Sequence, residues 1–328
     1  MPVINKPIQY FSVATWNGSG SATATIEFGM QPDLVVIKPR NNVAANANAW
    51  VVVDSTRGTS ARLSFNNTAP EWTESNNVIS FNSTGITVGD SHNVNKNTTS
   101  QYVGFGWKKG ATQGFDIVTY TGTGANTTVS HNLGVAPSMM IVKRRDSGPS
   151  SWTVWHSSFS STEYIYLNLT NAKSSSSGAT VWNSTLPTNS VFSLGTYTDV
   201  NASAGTYVAY LFSEVAGFSR IGSYTGNGSA DGPFVHCGFL PRFVMIKQSS
   251  ASGQSWQIQD ATREPYNDGN RTVLFADTSG AEITDAFPLD FLSNGFKIRN
   301  TGNGNNASGA TYIFMAFAEN PFKYSLAR

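Results

Sequence analysis

The sequence is short of charge. Asp, Glu, Lys and Arg make up 12% of its 328 residues, about half the ~25% usual in globular chains. Its polar surface must therefore be built from Asn, Ser, Thr and Gly. The formal net charge is +1 and no block of lysine or arginine occurs, so there is no electrostatic footprint for nucleic acid or an anionic membrane surface. Cys237 is the single cysteine, which excludes an intrachain disulfide and leaves stability to packing. No apolar run approaches the ~18 residues of a membrane-spanning helix, so no membrane insertion is expected. The opening MPVINKPIQYF has no basic segment ahead of an apolar one, so no secretory signal is expected either.

Signals of chemistry are equally sparse. The four histidines, His92, His131, His156 and His236, form no His-x-x-x-His or His-Glu-x-x-His arrangement, and no cysteine pair completes a zinc site. No metal and no cofactor are expected. Neither a Gly-x-Ser-x-Gly elbow nor a phosphate-binding Gly-x4-Gly-Lys-Ser/Thr loop is present. The Gly-x-Gly turns join strands and lead into no helix N-terminus, so they lack the geometry that cradles phosphate. Glycoside hydrolysis needs two facing carboxylates about 5–10 Å apart. The local acidic groups (Glu71 with Glu74, Asp231, Asp285 with Asp290) fall in loops, and none recurs. The reading is of a protein that is not an enzyme. Asn-x-Ser/Thr triplets, at Asn17, Asn126, Asn227 and Asn306 among others, are what this composition produces by chance.

What the chain does have is internal repetition. FDIVTYTGTG…LGVAPSMMIVKRR, from Phe115, recurs as YFSVATWNGSG…FGMQPDLVVIKPR and as FSRIGSYTGNG…CGFLPRFVMIKQ. The aromatic before the turn is Trp16, Tyr120 or Tyr224, and both steps are 104 residues (120 − 16, 224 − 120). Lys38, Lys143 and Lys247 close the apolar run that follows. The period is far longer than the ~20–50 residues of a solenoid unit, and each unit is long enough to hold a core. Short β-branched and aromatic runs with Gly, Asn and Pro punctuation predict an all-β chain, with no convincing amphipathic helix. The expected architecture is three tandem homologous antiparallel β-sandwich, jelly-roll-like domains. They cover residues 1–110 (a divergent copy), 114–214 and 217–328.

One strand carries a shared motif: Trp50-Val-Val-Val-Asp54, Trp152-Thr-Val-Trp-His156 and Trp256-Gln-Ile-Gln-Asp260. Alternation puts Trp and Asp or His on one face. Asp54/Arg57 and Asp260/Arg263 form Asp-x-x-Arg. The plain reading is a surface ion pair worth ~0–1 kcal/mol, and the sharper one is a polar clamp on a ligand. Trp50, Trp152 and Trp256 read as core. Trp155 lies on the opposite face, and Trp72 and Trp182 fall in corresponding loop-like stretches, APEWTES and ATVWNST. Exposed tryptophans beside Asn and Asp are platforms for a sugar ring; the competing reading is that they plug the joints between units.

The runs FDIVTYTGTGANTTVSHNLGVAPSMMIVKRRDSG, VNASAGTYVAYLFSEVAGFS, GFLPRFVMIKQ and NASGATYIFMAFAENPF together resemble a domain of unknown function. It is found in tailed bacteriophages, many of them marine, often within tail or tail-fibre proteins. The resemblance is close over 115–328 and more distant over 1–110. It implies a structural protein on the virion exterior, assembled in the host cytoplasm. A tail appendage (fibre, spike or baseplate periphery) contacting the host receptor is expected, with capsid decoration and a carbohydrate-binding module as alternatives. The implied partners are other virion proteins, further copies of the chain in a homo-oligomer with a trimer favoured, and a host-surface glycan. The family brings no assigned active site, so no residue role is carried over.

Overall fold

A computed structural model describes residues 4–41, 48–267, 269, 271–284 and 287–321. Asp285 and most of the polar loop 41–49 lie outside the described residues. The fold is all-β, built from antiparallel sheets, and its strands follow the 104-residue period. Repeat one contains β1 (Phe11–Asn17), β2 (Ala24–Glu27), β3 (Leu34–Pro39), β4 (Val51–Asp54), β5 (Gly58–Leu63), β6 (Trp72–Thr73), β7 (Val78–Asn82), β8 (Gly85–Val88) and β9 (Gln101–Trp107). Repeat two contains β10 (Phe115–Thr121), β11 (Thr127–Ser130), β12 (Met139–Arg144), β13 (Thr153–His156), β14 (Ile165–Tyr166), β15 (Val191–Leu194) and β16 (Thr206–Phe212). Repeat three contains β17 (Ser219–Thr225), β18 (Phe234–His236), β19 (Phe239–Gln248), β20 (Gln257–Asp260), β21 (Leu274–Phe275), β22 (Leu289–Leu292), β23 (Gly295–Ile298) and β24 (Thr311–Pro321).

Each repeat packs a large sheet on a small one. The large sheets run β1-β9-β3-β4-β5-β6, β10-β16-β12-β13-β14 and β17-β24-β19-β20-β21; the small ones are β2-β8-β7, β11-β15 and β18-β23-β22. Repeat two departs from the helix-free expectation: α1 (Gly178–Trp182) and α2 (Thr198–Asn201) flank β15. Among the described residues no helix is long and apolar enough to cross a membrane.

The large sheets are covered on both faces, which explains their unbroken apolar strands. In repeat one, Val35, Ile37, Val51 and Val53 face the small sheet through Ile26, Phe28, Ile86 and Val88. The alternate residues Leu34, Val36, Trp50, Val52 and Phe105 belong to a second cluster that runs through all three repeats. Phe11 stacks on Phe317 at 4.7 Å, Phe105 meets Phe243 at 5.2 Å, and Trp107 meets Phe212 at 6.2 Å. At their centre is a cavity of about 30 Å³ reached by Leu34, Phe105, Ile141, Tyr210, Met245 and Met315. It is large enough for one water but wholly apolar, and such cavities stay dry.

The aromatic before each Gly turn has a fixed task. Trp16 Nε1 and the hydroxyls of Tyr120 and Tyr224 donate to the carbonyls of Val94, Val200 and Asn305 at 2.8, 2.7 and 2.7 Å. Each ring stacks on the next strand's Tyr102, Tyr207 or Tyr312 at 5.6, 5.0 and 5.0 Å. The turn itself needs glycine because the chain crosses close by. A Cβ on Gly18, Gly122 or Gly226 would lie 2.4, 2.2 or 2.3 Å from a backbone oxygen. Asn95, Asn201 and Asn306, each 0% exposed, tie the turns down. Asn306 donates to Asn227, Ser229 and Asn300, so its triplet is a structural feature.

Because one face of every large sheet packs on the other repeats, a single repeat is incomplete. Residues 114–214 expressed alone would expose Trp152, Tyr210 and Phe212, and light scattering is expected to show self-association or a poorly packed chain. A stable monomer with native-like near-ultraviolet dichroism would contradict the shared core.

Candidate functional site

The most densely built polar arrangement lies in the seams between repeats, and it closes into a ring. Trp152 Nε1 of repeat two donates to the Ser64 carbonyl of repeat one at 2.9 Å. Trp256 of repeat three donates to Tyr166 of repeat two at 2.9 Å. Trp50 of repeat one donates to Phe275 of repeat three at 3.1 Å, and also to Thr278. Each of these tryptophans is fixed by an Asx side chain that accepts from its backbone N–H: Asn66, Asn168 and Asp277 at 3.1, 2.8 and 2.8 Å.

The lysines that close the apolar strands reinforce the same seams. Each Nζ donates to one carbonyl of its own repeat and one of the preceding repeat in the ring. Lys38 reaches Asn48 and Ser279 (2.5 and 3.0 Å), Lys143 reaches Ser150 and Thr68 (2.6 and 3.3 Å), and Lys247 reaches Gln254 and Thr170 (2.5 and 3.1 Å). All three are 0% exposed. Burial lowers their pKa values, to about 7 for Lys38 and about 8 for Lys143 and Lys247. A depressed lysine pKa in a cleft often marks a catalytic amine. Here the same amine meets the same two carbonyls three times over, which is a structural task. A neutral amine still keeps two N–H donors for those two carbonyls.

Two seams carry an additional charge clamp. The sequence predicts a surface Asp-x-x-Arg pair; the structure buries it. Arg57 and Asp54 side chains are both 0% exposed with Nε–Oδ2 at 2.5 Å, and Arg263 with Asp260 repeats this geometry. Asp54 Oδ1 also caps the turn, accepting from Thr56 and Arg57 N–H. Tyr210 of repeat two donates to Asp54 Oδ2 at 2.8 Å, and Arg57 reaches Glu71 at 2.7 Å. Glu71 then accepts from Arg145 of repeat two at 2.9 Å. Burial pushes the Glu71 carboxyl up, but hydrogen bonds from Arg145 and Arg57 outweigh it and hold it below the ordinary value. Glu71, which reads in the sequence as an acidic group without a counterpart, does recur: at the seam between repeats three and one Glu282 sits between Arg263 and Arg40 in the same way. At the seam between two and three the charges are exchanged together. His156 stands for Asp, with Nδ1 accepting from Ser158 N–H, and Phe159 stands for Arg at 5.7 Å from the imidazole. Lys173 and Ser249 take the places of Glu and Arg, paired through their backbones at 3.0 Å. Burial lowers the His156 pKa to about 4.

The structure therefore moves most of the candidate site residues inside. Asp54, Arg57, Asp260 and Arg263 sit in two separate seams and are occupied by each other. Trp155 and Trp182 are not exposed platforms, being 5% and 1% accessible. Their indoles donate to Ser160 and Glu163 carbonyls, both at 3.1 Å, inside repeat two. Nor do Trp72 and Trp182 correspond: the residue equivalent to Trp72 is Ser174 in repeat two and Ile283 in repeat three, as the shared seam bonds of Glu71, Lys173 and Glu282 show. Trp182 ends α1 instead. Trp72 alone of the three remains half-buried, on the edge strand β6. Cys237 is buried, which pushes its thiol well above the ordinary value. Among the described residues no group of three or more His, Cys, Asp or Glu could hold a metal ion.

The chain belongs to the DUF7483 family, described as a domain of unknown function, whose model matches residues 6–321. That one match spans all three repeats. No curated protein matches the chain.

Replacing Asp54 with Ala would strand a buried guanidinium and is expected to cost about 3–5 kcal/mol in denaturant unfolding. The double substitution Asp54→His with Arg57→Phe, which is repeat two's own solution, is expected to cost clearly less. Equal losses would mean that the pair is not a unit. The lysine ring sets a pH trend. Its folded pKa values lie below the unfolded one, so between pH 7 and 10 the unfolded chain holds protons the fold has released, and stability rises with pH. Above about pH 10 the trend reverses, since buried Tyr120, Tyr210 and Tyr224 keep protons that the unfolded chain loses. His156 adds a loss as pH falls from the ordinary histidine value towards about 4. Melting midpoints across pH 4–10 should therefore climb, and a maximum near pH 6 would contradict the assignment.

Proposed function

We propose that this protein is a structural component of the bacteriophage exterior, placed in a tail appendage where it meets the host surface. The observation that carries this reading is the fate of the reactive side chains. Lys38, Lys143 and Lys247, the Asp54–Arg57 and Asp260–Arg263 pairs and His156 are all buried in the ring of seams. The groups that a pocket would use for chemistry are used to join repeats. What remains outside is a low-charge coat of Asn, Ser, Thr and Gly on loops held by rigid sheets, a surface suited to display. The wording shared with tail-associated phage domains supports the same reading.

In this role the chain is assembled in the host cytoplasm with other virion proteins, and three copies form the favoured homo-oligomer. Cryo-electron microscopy of the particle, with the chain identified by its side-chain density, tests the placement. Density at the tail tip or baseplate periphery is expected. Density confined to capsid lattice positions would replace the tail reading with capsid decoration, and absence from purified particles would overturn both.

A further inference from the structure

Arg62 has no counterpart in the other repeats. It is 5% exposed, yet among the described residues its guanidinium meets no hydrogen-bond acceptor and no carboxylate within ion-pair distance; Nε is fully sealed from solvent and unanswered. Burial lowers its pKa to about 10, while the field of Glu74 works in the opposite direction and favours the charged form. A nearly buried cation whose Nε–H has no acceptor is costly, and in a native protein it calls for a partner. The contact it does make is with Trp72, its cross-strand neighbour, whose ring lies 4.8 Å from the guanidinium carbon. Trp72 belongs to β6, the outermost strand of the large sheet. Its position is fixed by its neighbour, since the preceding Glu71 is clamped by Arg57 and Arg145 and bonded through its N–H to the Arg145 carbonyl at 2.8 Å. The equivalents of Arg62 and Trp72 are Tyr164 with Ser174 and Val273 with Ile283, so the arrangement occurs once per chain.

We propose that Arg62 and Trp72 form a binding site for a sugar residue that bears a carboxylate. The sugar ring stacks on the accessible part of Trp72, and the carboxylate accepts from the Nη groups of Arg62, which are not sealed as Nε is. A guanidinium presents paired N–H groups that match the two oxygens of a carboxylate, and an indole at a sheet edge offers the apolar face a pyranose needs. Glu74 nearby keeps the site from being a strongly cationic patch, so it suits one carboxylate and not a dense polyanion. The site stands on the geometry of repeat one; that a host-surface glycan supplies the ligand rests on the exterior-phage reading above.

The test uses the purified full-length protein on an array of carboxylated glycans and their neutral counterparts, followed by calorimetry with an oligogalacturonate and its methyl ester. Binding to carboxylated sugars is expected, with the ester weaker by at least about tenfold. Trp72→Ala is expected to abolish binding while circular dichroism shows the fold retained. Arg62→Lys, which keeps the charge and loses the paired donors, should weaken acidic ligands and leave the ester unaffected. The proposal is overturned if no carboxylated sugar binds, if acid and ester bind alike, or if Trp72→Ala binds as the wild type does. These readouts involve no particle, so a failed site and a failed virion placement are told apart.

Discussion

Three buried lysines, each shared between the carbonyls of two repeats, are the contacts on which the architecture depends. A carbonyl at the end of a sheet must find a donor once it is covered, and Lys38, Lys143 and Lys247 supply one to each side of each seam. The indoles of Trp50, Trp152 and Trp256 each donate across the same seams to a carbonyl of the preceding repeat. Because repeat one receives repeat two and itself binds repeat three, no repeat is left with an open end. The two peptide joints account for two of the seams; the third is made entirely of non-covalent contacts, among them the stacking of Phe11 on Phe317.

The charge clamps follow from that layout. Asp54–Arg57–Glu71–Arg145 and Asp260–Arg263–Glu282–Arg40 each span one seam, and the latter holds the seam that has no peptide joint. At the seam between repeats two and three, His156, Phe159, Lys173 and Ser249 replace all four members at once. The buried Asp and Arg are replaced together by His and Phe while Lys173 pairs with Glu163 at 2.7 Å, the pattern expected where leaving one buried charge unpaired costs more than replacing the pair. It also explains why Asp and His can occupy one structural position: both accept from the N–H two residues on, and the residue that follows adapts its polarity.

Much of this was legible in the residues, and the misses have physical causes. The 104-residue step between Trp16, Tyr120 and Tyr224 revealed the repeat, and alternation in Trp50-Val-Val-Val-Asp54 correctly put Trp and Asp on one face. What that face looks at was not legible, because a strand's period reports burial and not the identity of the covering element. Asp-x-x-Arg therefore read as a surface pair, and Trp155 and Trp182 read as exposed, although each indole finds a carbonyl within repeat two. A charged residue ending an apolar strand at the same place three times, as Lys38, Lys143 and Lys247 do, points to backbone carbonyls as partners. Arg62 gave no signal at all, since its lack of acceptors is a property of the folded edge.

The repeats stand or fall together, because each completes its neighbour's core and seam. Differential scanning calorimetry of the whole chain tests it most directly. A single transition with calorimetric and van't Hoff enthalpies in agreement is expected. Two or three resolved transitions, or a van't Hoff enthalpy near a third of the calorimetric one, would mean that the repeats unfold separately and that the ring of lysines does not couple them.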